Sequence, residues 1–446
     1  MIKPAPRVVI AGTGSGCGKT TTVCAILQAL KNRGLSPMSF KCGPDYIDPM
    51  FHSGIIGVDS ANLDIFFAGE AGVRSAFVRH AADVNVVEGV MGMYDGLAMD
   101  SDVSSSYHLA RVLDAPVVLV LNVRGMALSA AAAVKGYMTL RSPNVVRGVI
   151  FNKVSPMTYP SLSKVVEKEC GIPVFGYLPD LPECSLESRH LGLVTAAEVS
   201  ELQSKMQRLA EAAEKTLDLD GLLELMRAQQ PLSADVPSVE KLGSVRLAVA
   251  RDKAFCFYYR DNLELFEALG AEIVPFSPVS DERLPDCDGL YMGGGYPELY
   301  LDRLGANETM KASVRQAVES GLPTVAECGA FMYLCRSIDG VPMTDVIHTD
   351  CRGTGKLTRF GYATLHAESE SLLFSPGDTL QGHEFHYWDA EAPGTALRAV
   401  KPNGRETRCA YVSETLYAGY PHLYFPSRPE AAARFIQKCI DRRNLP

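Results

Sequence analysis

Near the N-terminus, Gly12-Thr13-Gly14-Ser15-Gly16-Cys17-Gly18-Lys19-Thr20 lies between a short apolar run at 8–11 and a helical stretch at 20–33. Glycines let backbone N–H groups close around phosphate oxygens. Lys19 adds positive charge, and the helix start adds its dipole. The strict phosphate-loop pattern has four residues between its glycines. Here Thr13 fills the first glycine position and Gly12 lies one residue earlier. The strand, loop and helix context supports a nucleotide-phosphate site built from Gly14, Ser15, Gly16, Gly18, Lys19, Thr20 and Thr21. The Thr20 hydroxyl is placed for Mg²⁺. Such a site also calls for an acid at the end of a neighbouring strand, and Glu88, closing the apolar run 84–87, is the expected Mg²⁺ acid. The GVMGMYDG segment after it reads as a flexible loop that presents Asp95. Lys41-Cys42-Gly43-Pro44-Asp45-Tyr46-Ile47-Asp48-Pro49, with His52 close behind, sets two acids three residues apart in a Gly/Pro loop. Asp45 and Asp48 would ligate Mg²⁺ or orient a substrate; two solvated acids in a turn is the alternative.

A second chemistry sits far along the chain. Val325-Ala326-Glu327-Cys328-Gly329-Ala330 reads as a strand running through a cysteine into small residues and a helix at 331–335. That is a nucleophile elbow, in which a tight turn exposes the side chain. The helix start is expected to lower the thiol pKa. His422, in Gly419-Tyr420-Pro421-His422-Leu423-Tyr424, is the expected general base. Gly293-Gly294-Gly295 ends an earlier strand, and its N–H groups, those of Gly294 and Gly295 above all, would face an oxyanion. Gly382-His383-Glu384-Phe385-His386-Tyr387 holds two histidines at spacing three. On a strand these point to opposite faces, so a polar pocket wall is expected rather than a metal site.

These residues need elements to hold them. Apolar runs at 84–87, 117–121, 145–151 and 174–177 alternate with helical stretches. They are continuous rather than alternating, which implies burial on both faces and a parallel sheet. A polar helical stretch at 196–230 follows. Residues 228–244 mix Pro, Ser and Gly and read as a linker. A second alternation comes next, with strands at 246–250, 271–276, 289–292 and 323–326 and helices at 262–269 and 308–320. The pattern turns mostly β from about residue 340. The expectation is α/β throughout: a phosphate-loop domain at 1–228, a linker at 229–244 and a second α/β domain at 245–446.

The chain has 446 residues, 47% of them hydrophobic and 21% charged, which is ordinary globular usage. A net charge of −9 disfavours general nucleic-acid binding. Twelve cysteines without a CxxC pair fit neither a disulfide scaffold nor a zinc module and suit a reducing cytoplasm. No apolar run approaches the ~18 residues of a membrane span. The opening segment lacks the apolar core and cleavage site of a signal peptide, so a cytoplasmic chain is expected.

A phosphate loop in one half and a Cys/His elbow in the other imply coupled chemistries, with a thiol releasing ammonia from glutamine and a nucleotide activating the acceptor. At this point the chain resembles the cobyrinic acid a,c-diamide synthase family, within the cobyrinate, hydrogenobyrinate and Ni-sirohydrochlorin a,c-diamide synthases. The matching stretches run along nearly the whole chain: IAGTGSGCGKTT, FKCGPDYIDPMFH, ANLD, VEGVMGMYDG, ESRHLGL, RDKAFCFYYRDNLELFEALGAE, GGGYPELY, AECGAFMYL, GHEFHY and GYPHLYF. The resemblance implies a dethiobiotin-synthetase-like ATP domain followed by a class I glutaminase domain. MgATP would phosphorylate the a and c acetates of a corrinoid polycarboxylate, and ammonia from glutamine would attack each acyl phosphate. It gives Lys19 and Thr20 phosphate and Mg²⁺ contacts, Glu88 the Mg²⁺ acid, and Asp45, Tyr46, Asp48 and Asp95 the carboxylate-activating site. Cys328 matches the nucleophile and His422 its base. Arg189, His190 and Lys41 are candidates for holding substrate carboxylates.

Two positions depart from the family pattern. Gly329-Ala330 stands where the family has Gly-Gly, and His422-Leu423-Tyr424 where it has His-Leu-His. Other class I glutaminases carry a Glu two residues after the base. Tyr424 is no acid, so a Cys/His dyad is expected. The open alternatives are the same chemistry on Ni-sirohydrochlorin or hydrogenobyrinic acid, a dead second domain, and a partitioning-type (ParA/MinD-like) nucleotide switch. The switch would need no cysteine elbow. Small-molecule partners are expected, with neither nucleic acid nor membrane, and a homodimer is left open.

Overall fold

The computed structural model describes residues 1–184 and 196–444. It divides into two units, Met1–Pro237 and Ser238–Pro446. In the first, seven strands form one sheet in the order Ser60–Leu63, Pro37–Cys42, Val84–Glu88, Arg7–Gly12, Val117–Asn122, Val146–Asn152, Val174–Leu178. All its pairings are parallel. The central strand, RVVIAG, is buried at every residue. Successive strand residues point to opposite faces, and two cores divide them. Val8 and Ile10 pack with Val23, Ile26 and Leu30 of the helix Lys19–Asn32 and with Met206, Leu209 and Leu222. Val9 and Ala11 pack with Phe77, Tyr107 and Leu113. The continuous apolar runs are therefore the signature of a sheet covered on both sides.

Two strands escape a reading by apolar runs: PMSFKC and SANL carry polar residues in buried positions. The polar stretch after the sheet forms two helices, Ala196–Thr216 and Leu219–Arg227, with Asp218 capping the second by accepting from Gly221 N. Residues expected to belong to a linker do not all run free, because Leu232–Ser233 pairs antiparallel with Ile2–Lys3.

The second unit holds a six-stranded sheet in the order Ala271–Phe276, Val245–Ala250, Gly289–Met292, Thr324–Glu327, Leu416–Gly419, Tyr411–Val412. Only the pairing with Tyr411–Val412 is antiparallel. A five-stranded antiparallel sheet stands beside it, ordered Glu406–Cys409, Leu397–Val400, Arg359–Ala367, Thr379–His386, His422–Leu423. This is the β-rich region expected after residue 340. It brings His422 opposite His383. Phe266 makes edge-to-face contacts with Tyr291, Phe425 and Phe435, which knits the helix Arg260–Leu269 and the C-terminal helix Pro429–Arg443 to the sheet.

Candidate active sites

In the first unit the polar residues collect at the carboxyl ends of the parallel strands, where open α/β sheets bind ligands. The loop after Arg7–Gly12 turns into the helix Lys19–Asn32 through Gly18, which has φ +103°. A Cβ at Gly18 would also lie 2.0 Å from Asn152 Nδ2, so glycine is required twice over. Asn152 closes its strand and donates to Cys17 O at 2.9 Å, while Tyr137 Oη donates to Thr13 O at 2.8 Å. These contacts hold the loop from two sides. Ser15 and Gly16 are exposed at its tip. Lys19 Nζ donates to Gly14 O at 2.9 Å and to Met91 O at 2.5 Å. Cys17 is buried, so its thiol is shielded from solvent oxidants.

The Thr20 hydroxyl donates to Glu88 Oε1 at 2.6 Å. Glu88 is fully buried, and its neighbours are cationic or protonatable. Lys41 Nζ lies 3.1 Å from Oε1, and His52 Nε2 lies 3.5 Å from Oε2. Lys41 also meets Asp48 Oδ2 at 2.6 Å. Burial pushes the Glu88 carboxyl up to about 7 against the pull of Lys41. Burial opposes the Lys41 ammonium, yet Glu88, Asp48 and Asp45 together raise its pKa. Lys41, a candidate for holding a substrate carboxylate, is thus paired with Glu88 and Asp48 inside the protein.

The acidic loop is not a turn of two solvated acids. Asp48 is buried. Burial, with Asp48 next in weight, lifts Asp45 to about 6. Asp45 Oδ1 accepts from Ile47 N at 2.9 Å, and Tyr46 is buried. Asn62 Nδ2 clamps the loop backbone by donating to Gly43 O and Asp45 O, each at 2.8 Å. The GVMGMYDG segment is better anchored than expected. Met93 N donates to Gly12 O at 2.8 Å, and Asp95 Oδ2 accepts from Gly92 N at 2.7 Å. Arg189 and His190 lie outside the described residues.

In the second unit Cys328 follows the strand Thr324–Glu327 with φ +49° and ψ −105°, a strained backbone for a non-glycine residue. Its N–H donates to Gly419 O at 2.8 Å. The helix Gly329–Leu334 begins directly after it. A Cβ at Gly329 would lie 2.8 Å from Pro297 Cδ, so the first small residue is sterically required. Ala330 takes helical backbone and is fully buried, which accommodates the departure at that position. The backbone of Gly329, at the start of this six-residue helix, pulls the thiol pKa down, but burial, followed by the charge of Glu298, outweighs it and holds the thiol above the usual range.

Gly294 fixes how close the pieces come. A Cβ placed there would lie 3.1 Å from His422 Nε2, 2.3 Å from His422 Cε1 and 3.2 Å from Cys328 Cβ. The Cε1–Nε2 edge of His422 therefore faces Gly294, which also abuts Cys328. Gly293 N donates to Tyr258 Oη at 2.8 Å, while Gly294–Gly295 pairs antiparallel with Phe255–Phe257. Burial lowers the His422 pKa to about 3. His383 and His386 are also buried, at about 4. The His386 ring stacks on Tyr420 at 3.8 Å and its Nδ1 meets Trp388 O at 2.6 Å, so it is a packed wall of the site.

One residue was missed in sequence. Tyr424 carries no carboxylate and its hydroxyl donates to Asp261 Oδ2 at 2.9 Å. A carboxylate does approach His422 from elsewhere: Glu327 Oε2 lies 3.9 Å from His422 Nδ1, both side chains buried. This acid stands immediately before the cysteine, not after the histidine, where the expected dyad leaves none.

Two family models match the chain. The CobQ/CobB/MinD/ParA nucleotide binding domain matches residues 8–194, and the CobB/CobQ-like glutamine amidotransferase domain matches residues 246–430. A cobyrinate a,c-diamide synthase of Caldanaerobacter subterraneus subsp. tengcongensis is 39% identical over 443 residues, covering 97% of this chain and 98% of that one. The chain belongs to the cobyrinate a,c-diamide synthase family. A family member from Listeria innocua is 39% identical, covering 95% of this chain and 97% of its own. One from Methanothermobacter thermautotrophicus is 38% identical, covering 97% and 99%. Membership and the two domains make the chain a glutamine-dependent, amide-forming enzyme with a nucleotide-binding half. Among the described residues, no helix is long and apolar enough to cross a membrane.

Proposed function

We propose that this chain amidates the a and c acetate carboxylates of cobyrinic acid. ATP would activate each as an acyl phosphate and glutamine would supply the ammonia. The observation that carries the reading is the pairing, in one chain of this family, of a phosphate loop with a buried Cys/His elbow. A nucleotide switch would need only the first. The backbone of Gly14, Ser15, Gly16 and Gly18, with Lys19, Thr20 and Thr21, receives the phosphates. The oxygen donors of Thr20 and Glu88 already meet, and Asp45, which like Glu88 acts on Lys41, adds a second acid, a hard-oxygen set that fits Mg²⁺. Bound there, Mg²⁺ would neutralise phosphate charge. Asp45, Tyr46, Asp48 and Asp95 are assigned to placing the acceptor carboxylate, with Asp48 held by Lys41.

In the second unit, His422 takes the Cys328 proton and the thiolate attacks the glutamine carboxamide carbon. The tetrahedral oxygen faces Gly294 and Gly295. Collapse expels ammonia with the proton from His422. Water then hydrolyses the thioester, restoring the thiol and releasing glutamate.

The test is incubation with MgATP, glutamine and, separately, cobyrinic acid, hydrogenobyrinic acid and Ni-sirohydrochlorin, following product masses. Two successive carboxylate-to-amide shifts on cobyrinic acid are expected. Shifts on another acceptor alone would reassign the substrate, and ATP turnover with no shift on any would return the switch reading. In the same assay Cys328→Ala is expected to keep ammonium-dependent synthesis and lose the glutamine-dependent reaction. Equal loss with both donors would refute the nucleophile's role.

A further inference from the structure

We infer that Glu327 is the positioning carboxylate of the glutaminase site, holding the His422 ring with Nδ1 toward itself and Nε2 toward Cys328. The inference rests on the Cys328–His422 reading above. A general-base histidine needs its far nitrogen occupied by an acceptor, which fixes tautomer and orientation and stabilises the imidazolium once the thiol proton arrives. The two edges of His422 face different partners. The Cε1–Nε2 edge faces Gly294, which also abuts Cys328, and Nδ1 faces Glu327 Oε2 at 3.9 Å. That separation is longer than a hydrogen bond, and catalytic contacts often tighten only with substrate bound.

Glu327 is itself held rigidly. Its Oε1 accepts from Leu423 N at 3.2 Å, and its Oε2 accepts from Tyr291 Oη at 3.4 Å. Asn262 Nδ2 donates to Leu423 O at 2.8 Å and approaches Tyr291 Oη at 3.4 Å. The acid is thus tied to the residue that follows the base, and base and acid move as one piece. The elbow ties the acid to the nucleophile as its immediate chain neighbour. The other titratable groups around this pair are Cys328, His383, His386, Tyr258, Tyr417, Glu298 and Glu384. Within this set Glu327 is the carboxylate in ion-pair range of His422 Nδ1.

The test uses the full chain. Glu327→Gln keeps the size and an acceptor for Leu423 N but removes the charge. Glutamine hydrolysis should lose about 100-fold or more in kcat with KM within about threefold, while ammonium-dependent synthesis and the melting temperature stay as in the parent. Iodoacetamide labelling of Cys328 should slow in parallel. A Glu327→Gln/His422→Ala double variant should be no worse than His422→Ala alone, because the acid acts through the base. Additive losses, hydrolysis within about threefold of the parent, or ammonium-dependent synthesis lost alongside would each overturn the inference. If Cys328→Ala keeps glutamine-dependent activity, the underlying site reading falls instead. If Cys328 proves essential and Glu327→Gln is silent, only the positioning role falls.

Discussion

At the scale of single residues, the second site is limited by what is absent from Gly294. Its missing Cβ is the space that the His422 ring occupies, since a methyl there would sit 2.3 Å from Cε1. Gly294→Ala must push the imidazole away from Cys328. We expect glutamine-dependent activity to fall at least about 100-fold with ammonium-dependent activity kept, measured as glutamate release beside product mass. Full retention of glutamine use would show that the histidine does not work from this position. Such contacts are only half legible in sequence. A triple glycine at a strand end announces a close approach of backbone to something, and the elbow motif announces the cysteine. Neither says that a histidine 128 residues later fills the gap (positions 294 and 422). Glu327 is hidden differently: successive residues of a strand point to opposite faces, and Cys328 departs from that pattern only through its φ of +49°, which no spacing rule announces.

At the scale of elements, the short strand Ser60–Leu63 at the edge of the first sheet does more than extend it. Through Asn62 it clamps the backbone of the acidic loop at Gly43 and Asp45. Asn62→Ala removes one buried and one partly buried hydrogen bond and leaves two carbonyl acceptors without it, at a cost of up to roughly 1–3 kcal/mol for each unsatisfied group. We expect both nitrogen donors to become poor, with glutamine hydrolysis itself unaffected, because the damage lies in the activating unit. Selective loss with glutamine alone would contradict this. The strand was illegible in sequence because SANL has no apolar run; its burial comes from pairing and from the helices above it. The phosphate loop was legible because its strand, glycines and helix are contiguous and need no tertiary information. Lys41 illustrates the opposite case. Near acids it reads as a ligand for substrate, yet Pro37–Cys42 pairs in register so that Lys41 stands beside Glu88. That register is a property of the sheet, not of the segment.

At the scale of the whole molecule, buried ionisable groups set the pH dependence of stability. In the second unit burial lifts Glu298 to about 7, from a usual 4.5. Folded, this acid keeps a proton that the unfolded chain has already released, so its contribution is complete below about pH 4.5 and is lost as pH rises to about 7. His383 and His386 at about 4 and His422 at about 3 act in the other direction, costing stability as pH falls below 6.5. Of this set, three imidazoles oppose one carboxyl between about pH 4.5 and 6.5, so the melting temperature should rise across that interval. Glu298→Gln should steepen the rise; an unchanged slope in the variant would mean that the Glu298 carboxyl is not held protonated. In the first unit the bonds from Lys19 Nζ to Gly14 O and Met91 O carry a different consequence. Met91 has φ +44°, costly for a methionine, and the ammonium is one of the contacts that hold it there. A phosphate received by Lys19, as proposed, would compete with those carbonyls for the same three protons. The apparent nucleotide Kd is then a difference between two bound arrangements of one lysine. Substitutions in the 89–95 segment that never touch nucleotide will still shift it, tightening binding when they make Met91 a poorer acceptor.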